Sequence, residues 1–269
     1  MISITRHGDV TRLRMSTWRS RLVGYDVSAY LVRGVLVDTG FPAIGRELER
    51  ALDALRPQGV LLTHEHEDHA GNAARLVRRG LPLGAGPATL DALRSIAPLG
   101  FYRRYTWGTM PPLDGAAREA FTHDALRLVH TPGHSHDHHA VWDAERETLF
   151  GGDLFLGVRV RIAHPGEDPR RLAVSLRAAA ALYPARLFDA HRGPITDRPA
   201  ALLAAKADWI EETVAAVDRR IAQGWSDDAI RREVLGREGM VGFFSLGEYS
   251  KVNFVRAVRR TSGIATALN

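Results

Sequence analysis

Polar and apolar residues alternate along the first forty positions with the period-two rhythm of antiparallel strands. Thr11-Arg12-Leu13-Arg14-Met15 is one such run, Asp26 to Arg33 a second and Gly34 to Gly40 a third, with Arg33-Gly34 as the hairpin turn. The rhythm then lengthens: Leu48, Ala51, Leu52 and Leu55 fall at helical spacing over 46–56, and Pro57 stops that helix. Gly59 to Leu62 reads as a strand, 70–79 as a helix, 81–85 as a short strand, and Pro87 opens a helix through Ala97. Strands return at Leu126–His130, Ala140–Trp142 and Thr148–Phe155. A helix from Pro169, with Leu172, Leu176, Ala179, Ala180 and Tyr183 on one face, leads to a strand over 185–193.

This βαβ-like alternation predicts an α/β scaffold whose polar residues gather at strand ends along one rim. After Pro199 helix formers dominate. One long helix over 200–223 is closed by Gly224, a second is capped by Ser226 and runs through Leu235, and a third opens at Ser245-Leu246-Gly247-Glu248 and runs through Arg260. The expected organisation is a sheet-based domain over 1–199 and a helical region over 200–269 covering or flanking its site. Residues 98–122 lack clean periodicity and are expected to form an irregular loop, with Phe101, Tyr102, Tyr105 and Trp107 as candidate walls of a substrate pocket. Arg159 and Arg161 are candidate holders of an anionic substrate end.

Composition narrows the class. With 269 residues, 45% hydrophobic and 25% charged, the chain has the balance of a soluble globular protein. Lys and Arg exceed Asp and Glu by 36 − 31 = 5, but no aromatic-basic stripe accompanies the excess, so a solvated surface is favoured over nucleic-acid binding. No secretory signal pattern and no contiguous apolar run of about 18 residues is present, which predicts a cytoplasmic protein with no membrane span. The absence of cysteine excludes disulfides and thiolate ligands, leaving His, Asp and Glu for any metal chemistry.

That chemistry is concentrated in Thr63-His64-Glu65-His66-Glu67-Asp68-His69, directly after an apolar strand. His64 and His66, one residue apart on extended backbone, point the same way and can share an ion. Asp68 and His69, at the start of the following helix, face a second direction where a second ion can be held. Imidazole with carboxylate suits zinc, iron or manganese. Of 12 histidines, eight lie in the segments 64–69, 134–139 and 191, each at a predicted strand end. His7, His123, His130 and His164 lack that context and are expected to be ordinary.

Together these segments resemble the metallo-β-lactamase superfamily. Thr63 to His69 matches its T-H-x-H-x-D-H signature; Gly133-His134-Ser135, Gly152-Asp153 and His191 match the later ligand motifs in order, and Asp38-Thr39-Gly40 matches the first. The resemblance covers about residues 10–200 and implies an αββα sandwich of two mixed β-sheets flanked by helices. It implies two divalent metal ions, zinc first and iron or manganese as alternatives. His64, His66 and His134 would hold one, Asp68, His69 and His191 the other, and Asp153 would bridge them, with Asp38 orienting ligands from behind. Such a pair lowers the pKa of a shared water toward neutrality and so generates a hydroxide nucleophile.

Within the superfamily, 131–138 and 148–155 look most like the glyoxalase II group of thioesterases. That group has Gly-His where this chain has Asp137-His138, so His138 is a supporting residue rather than a ligand. No aromatic stands two residues beyond His191, which argues against a glutathione thioester. The expected function is hydrolysis of a thioester or small carboxylic ester, a small molecule being the partner and a homodimer left open. Lactone or β-lactam cleavage is the alternative, although Leu156 stands where lactonases carry Tyr. A nuclease lacks room for its inserted domain, and an iron sulfur dioxygenase would not use the full binuclear set.

Overall fold

The computed structural model describes residues 1–113 and 121–265 of the chain. Among the described residues, eleven strands form two sheets. The first contains β1 (Ile2–His7), β2 (Val10–Met15), β3 (Val27–Val32), β4 (Val35–Val37), β5 (Gly59–Leu61) and β6 (Leu83–Gly84) in that order. Its first four strands are antiparallel, whereas β4, β5 and β6 run parallel because helical crossovers intervene. The second sheet has the order β11 (Gly193–Ile195), β10 (Arg186–Asp189), β9 (Thr148–Gly152), β8 (His139–Asp143) and β7 (Leu126–His130). Only β9 and β10, linked by a helix, pair in parallel there.

The turn between β3 and β4 is Arg33-Gly34, both in left-handed conformations (φ 51° and 76°), the two-residue hairpin whose twist matches the strands it joins. Helices α1 (Trp18–Leu22), α2 (Gly45–Leu55), α3 (Ala73–Arg78), α4 (Pro87–Arg94) and α5 (Phe101–Trp107) belong to the first half of the chain. In the second half, α6 (Pro169–Ala180) starts at Asp168, whose side chain accepts from the amides of Arg170 and Arg171, with Pro169 in its first turn. The long α7 (Pro199–Ala222) buries Leu203, Ala207, Ile210, Val214 and Val217 on one stripe. It is followed by α8 (Asp227–Ile230), a wider turn over Arg231–Leu235, α9 (Met240–Phe244) and α10 (Lys251–Ala265).

Three buried clusters define the layers. Tyr30, Val35, Val37 and Leu61 of one sheet meet Leu126, Val141, Phe150 and Phe188 of the other. Leu48, Leu52 and Leu76 of α2 and α3 cover the outer face of the first sheet, and Leu172, Leu176, Leu203, Ile210 and Phe254 of α6, α7 and α10 cover the second. The fold is therefore an αββα sandwich, and the C-terminal helices share the second sheet's outer core.

Three local expectations are corrected. The aromatic stretch after residue 98 contains α5, bracketed by Gly100 and Gly108; its aromatic-rich sequence has modest helix propensity, and burial of Tyr102, Arg103, Thr106 and Trp107 overrides it. The part of the expected loop at 114–120 lies outside the described residues. A strand at Ile2–His7 precedes the first expected one and pairs with β2 along its whole length. The third C-terminal helix begins at Lys251 rather than at Ser245, because Leu246 and Gly247 take positive φ (54° and 86°) that no helix accommodates.

Candidate metal centre

The T-H-x-H-x-D-H segment leaves the end of β5 and is braced by Asp38, which follows β4. Asp38 occupies a left-handed conformation (φ 62°) that turns its buried carboxylate under the loop. One oxygen accepts the backbone amide of Thr63 at 2.8 Å, and the other faces His69 Nδ1 at 2.8 Å. One carboxylate thus holds both ends of the loop, and the Thr63 hydroxyl donates to it as well.

These bonds also settle which imidazole nitrogen is free. The Thr63 hydroxyl gives its proton to Asp38, so His64 Nδ1–H must donate to Thr63 Oγ1 at 3.0 Å, leaving Nε2 with a lone pair. His69 donates through Nδ1 to Asp38 and His191 through Nδ1 to the carbonyl of Asp26 at 2.6 Å, so that Nε2 of each is turned toward the carboxylates of the site. His64 Nε2, His69 Nε2 and Asp153 Oδ1 are buried and have no hydrogen-bond partner. Orphaned acceptors in a dry interior are costly unless a cation takes them, so the residues present fit a metal.

Potential ligand atoms converge in two groups. Among the described residues, donor atoms of His64, His66 and His134 lie within 4.8 Å of one another, as do those of Asp68, His69, Asp153 and His191. Asp153 stands between the groups: Oδ2 is 3.3 Å from His134 Nε2, while Oδ1 is 3.2 Å from His69 Nε2 and 3.3 Å from His191 Nε2. Asp68 Oδ2 is 3.4 Å from His191 Nε2. A further group, Glu65, His136 and Asp137, differs in kind, since the Asp137 carboxylate already accepts from the Glu65 amide and the Ser135 hydroxyl.

Burial, reinforced by neighbouring imidazoles, holds His64 and His66 well below the ordinary histidine range and so in the neutral, ligating form. For His69 and His191 burial acts the same way, but the carboxylates of Asp153 and Asp68 outweigh it and raise both well above that range. Burial pushes Asp153 upward, yet His69, His191 and His134 together hold it well below the usual carboxylate range.

Supporting residues fix the bridging carboxylate. His138 donates through Nδ1 to Thr131 Oγ1 at 2.9 Å and accepts the Asp153 amide on Nε2 at 3.1 Å. Gly152, at φ 50°, passes so close that an added Cβ would lie 2.8 Å from His138 Nε2. Asp189 accepts the amides of His191, Arg192 and Leu156, and buried Lys206 of α7 donates to the carbonyls of Leu154 and Phe155. No motif marks Asp189 or Lys206, because each acts on backbone distant in the chain; a buried-strand Asp two residues before His191 is the one available signal.

The centre opens into a cavity of about 570 Å³. Of the candidate wall residues, Tyr102, Trp107, Arg159 and Arg161 line it. Phe101 and Tyr105 do not. They sit four residues apart on the opposite face of α5, stacked on each other at 6.1 Å, with Tyr105 against Trp18. The other face sends Arg103 to Glu67 in a buried, two-pronged ion pair that clamps α5 to the ligand loop. Tyr249 and Met240, from the C-terminal helical part, complete the wall, and His164, expected to be ordinary, lies 6.1 Å from the His66 ring and 5.4 Å from that of Tyr249.

Comparison with known proteins agrees with this architecture. The family model for the metallo-beta-lactamase superfamily matches residues 22–194. A beta-lactamase-like protein 2 homolog of Drosophila melanogaster is 30% identical over 210 residues, covering 71% of this chain and 68% of that protein. An atrochrysone carboxyl ACP thioesterase of Aspergillus fumigatus is 31% identical over 175 residues, covering 62% of this chain and 37% of that protein. The chain thus spans roughly two thirds or less of these relatives' own length. Among solved structures, a metallo-beta-lactamase family protein of Thermus thermophilus superposes with a TM-score of 0.62 at 19% identity, covering 94% of both chains. A protein solved in a di-iron-bound form is 31% identical with a TM-score of 0.55, covering 67% of this chain and 93% of that one. With the matched family model spanning most of the two sheets and both donor groups, the chain belongs to the metallo-β-lactamase superfamily.

Proposed function

We propose that the chain is a binuclear metal-dependent hydrolase of thioesters or small carboxylic esters. The observation that carries this reading is the position of Asp153, whose two oxygens face two different donor groups. His64, His66 and His134 would hold one ion, and Asp68, His69 and His191 the other. Zinc is favoured by the nitrogen-rich donor set, and iron remains open because a relative was solved with two irons. Bound divalent ions supply Lewis acidity toward a carbonyl and lower the pKa of water.

The chain's own residues do the rest. Asp38 and His138 keep His69 and Asp153 aimed; Asp68 and Asp153, which line the cavity together with Glu167, are carboxylates that would take a proton from water. Tyr102 and Trp107 provide apolar wall that excludes solvent from the acyl group. The thioester reading is supported by the relative named as an ACP thioesterase and by the resemblance of 131–138 and 148–155, Asp137 apart, to the glyoxalase II group. Metal-reconstituted protein assayed on thioesters, esters, lactones, β-lactams and phosphodiesters tests it. Fastest turnover of a thioester is expected; turnover of phosphodiesters alone, or of nothing, would reject the reading.

A further inference from the structure

The cavity is graded in chemistry from floor to mouth. Metal-ligating side chains form its floor, Tyr102, Trp107 and Val160 contribute apolar wall, and Arg159, Arg161 and Arg192 line it while remaining exposed. Arg159 and Arg161 alternate with Val158 and Val160, which pack on the core beneath the second sheet and so anchor the segment carrying both guanidinium groups. Arg192 is steadied by donating Nε to the carbonyl of Leu156 at 2.8 Å. Elsewhere arginines such as Arg33, Arg170 and Arg177 are bound to carboxylates, yet none of the three at the cavity forms an ion pair among the described residues. Unpaired, forked cations beside a reactive floor are an anion reader in waiting.

A substrate filling this cavity places its reacting carbonyl at the floor, uncharged material along the wall and an anion at the mouth. A phosphate, whose nonbridging oxygens diverge tetrahedrally, engages more than one guanidinium fork, where a planar carboxylate engages a single fork. We propose that Arg159, Arg161 and Arg192 read the phosphate of a phosphopantetheine-type thiol, the leaving group of the thioester. This rests on the thioester reading above. Hydrolysis forms a C–O bond from water and breaks the C–S bond; the acyl group departs as a carboxylate, the thiol retains one proton of the water, and the other is released. The phosphate is held and is not cleaved. This phosphate is a monoester in free phosphopantetheine, a diester to serine on an acyl carrier protein and part of a diphosphate in coenzyme A, and it carries anionic nonbridging oxygens in all three.

The test uses one acyl group on four thiols: pantetheine, phosphopantetheine, coenzyme A and a carrier protein. The phosphopantetheine thioester is expected to exceed the pantetheine thioester at least tenfold in kcat/KM, mainly through KM, with the advantage shrinking as salt is raised. In the Arg159→Ala/Arg161→Ala double variant that ratio should collapse toward one, while Arg127→Ala, an exposed arginine outside the cavity, should preserve it. A measurement independent of any variant is inhibition of pantetheine-thioester turnover by the free thiols: phosphopantetheine should inhibit at least tenfold more tightly than pantetheine. Faster turnover of the carrier-borne thioester or of the coenzyme A thioester supports the proposal and identifies the source of the phosphate. Equal turnover and equal inhibition with and without phosphate would overturn it while leaving the thioesterase reading intact. Failure to cleave any thioester, with cleavage of an RNA oligomer instead, would overturn both.

Discussion

Asp38 shows how much of the centre depends on residues that would hold no ion themselves. Its carboxylate holds the Thr63 amide, the Thr63 hydroxyl and His69 Nδ1 at once, so it sets the loop's shape and His69's tautomer together. Asp38→Ala should weaken metal affinity by about 10–100-fold, read by competition with a chromogenic chelator, and unchanged affinity would refute that role. At Gly152 the constraint is steric. A methyl group would meet His138 Nε2 at 2.8 Å and Thr63 Oγ1 at 2.9 Å on backbone already at φ 50°. Gly152→Ala should therefore cost about 1–3 kcal/mol in urea denaturation. A variant as stable as the parent would mean that the neighbouring strand ends yield. The donors themselves are legible in the chain because each follows a strand within a short motif. Lys206, Glu167 and Tyr249 are not, since no local pattern relates them to residues that lie next to them only in the folded protein.

Among the elements, α5 joins the cavity wall to the ligand loop. Arg103 projects from its inner face onto Glu67, one of two glutamates inside the T-H-x-H-x-D-H segment, and both partners are buried. Removing one partner of a buried pair leaves the other charge without compensation, so Arg103→Ala should destabilise the protein by about 3–5 kcal/mol in urea denaturation. A loss below about 1 kcal/mol would place the pair among weak surface bridges. Most strands and the amphipathic helices are readable from periodicity, as with Leu48 and Leu52 of α2 or Leu172 and Leu176 of α6. By contrast the local pattern over α5 predicts a loop, because tertiary contacts, and the Arg103–Glu67 clamp above all, make it helical. Once it is a helix, the fate of its aromatics follows: Tyr102 goes to the cavity, while Phe101 and Tyr105 go to the outer side.

At the scale of the molecule, both sheets and helices from each end of the chain converge on one rim, so occupation of the centre is coupled to global stability. On the proposed reading, ions at a thousandfold excess over their dissociation constant add about 4 kcal/mol, and chelation should lower the melting temperature accordingly. The pH dependence has a definite sign. His69 and His191 bind protons tightly despite burial because Asp153 and Asp68 lie beside them, and an ion must displace those protons. Metal affinity should therefore fall as pH falls, and a pH-independent affinity would contradict ligation by these imidazoles. The most direct measurement is an equilibrium metal titration of the stripped protein, with thioester turnover followed at each point. The expected result is two equivalents bound per chain, turnover rising with the second, and loss of one equivalent in Asp153→Asn. Saturation at one equivalent or fewer, or full turnover with none bound, would contradict a binuclear centre.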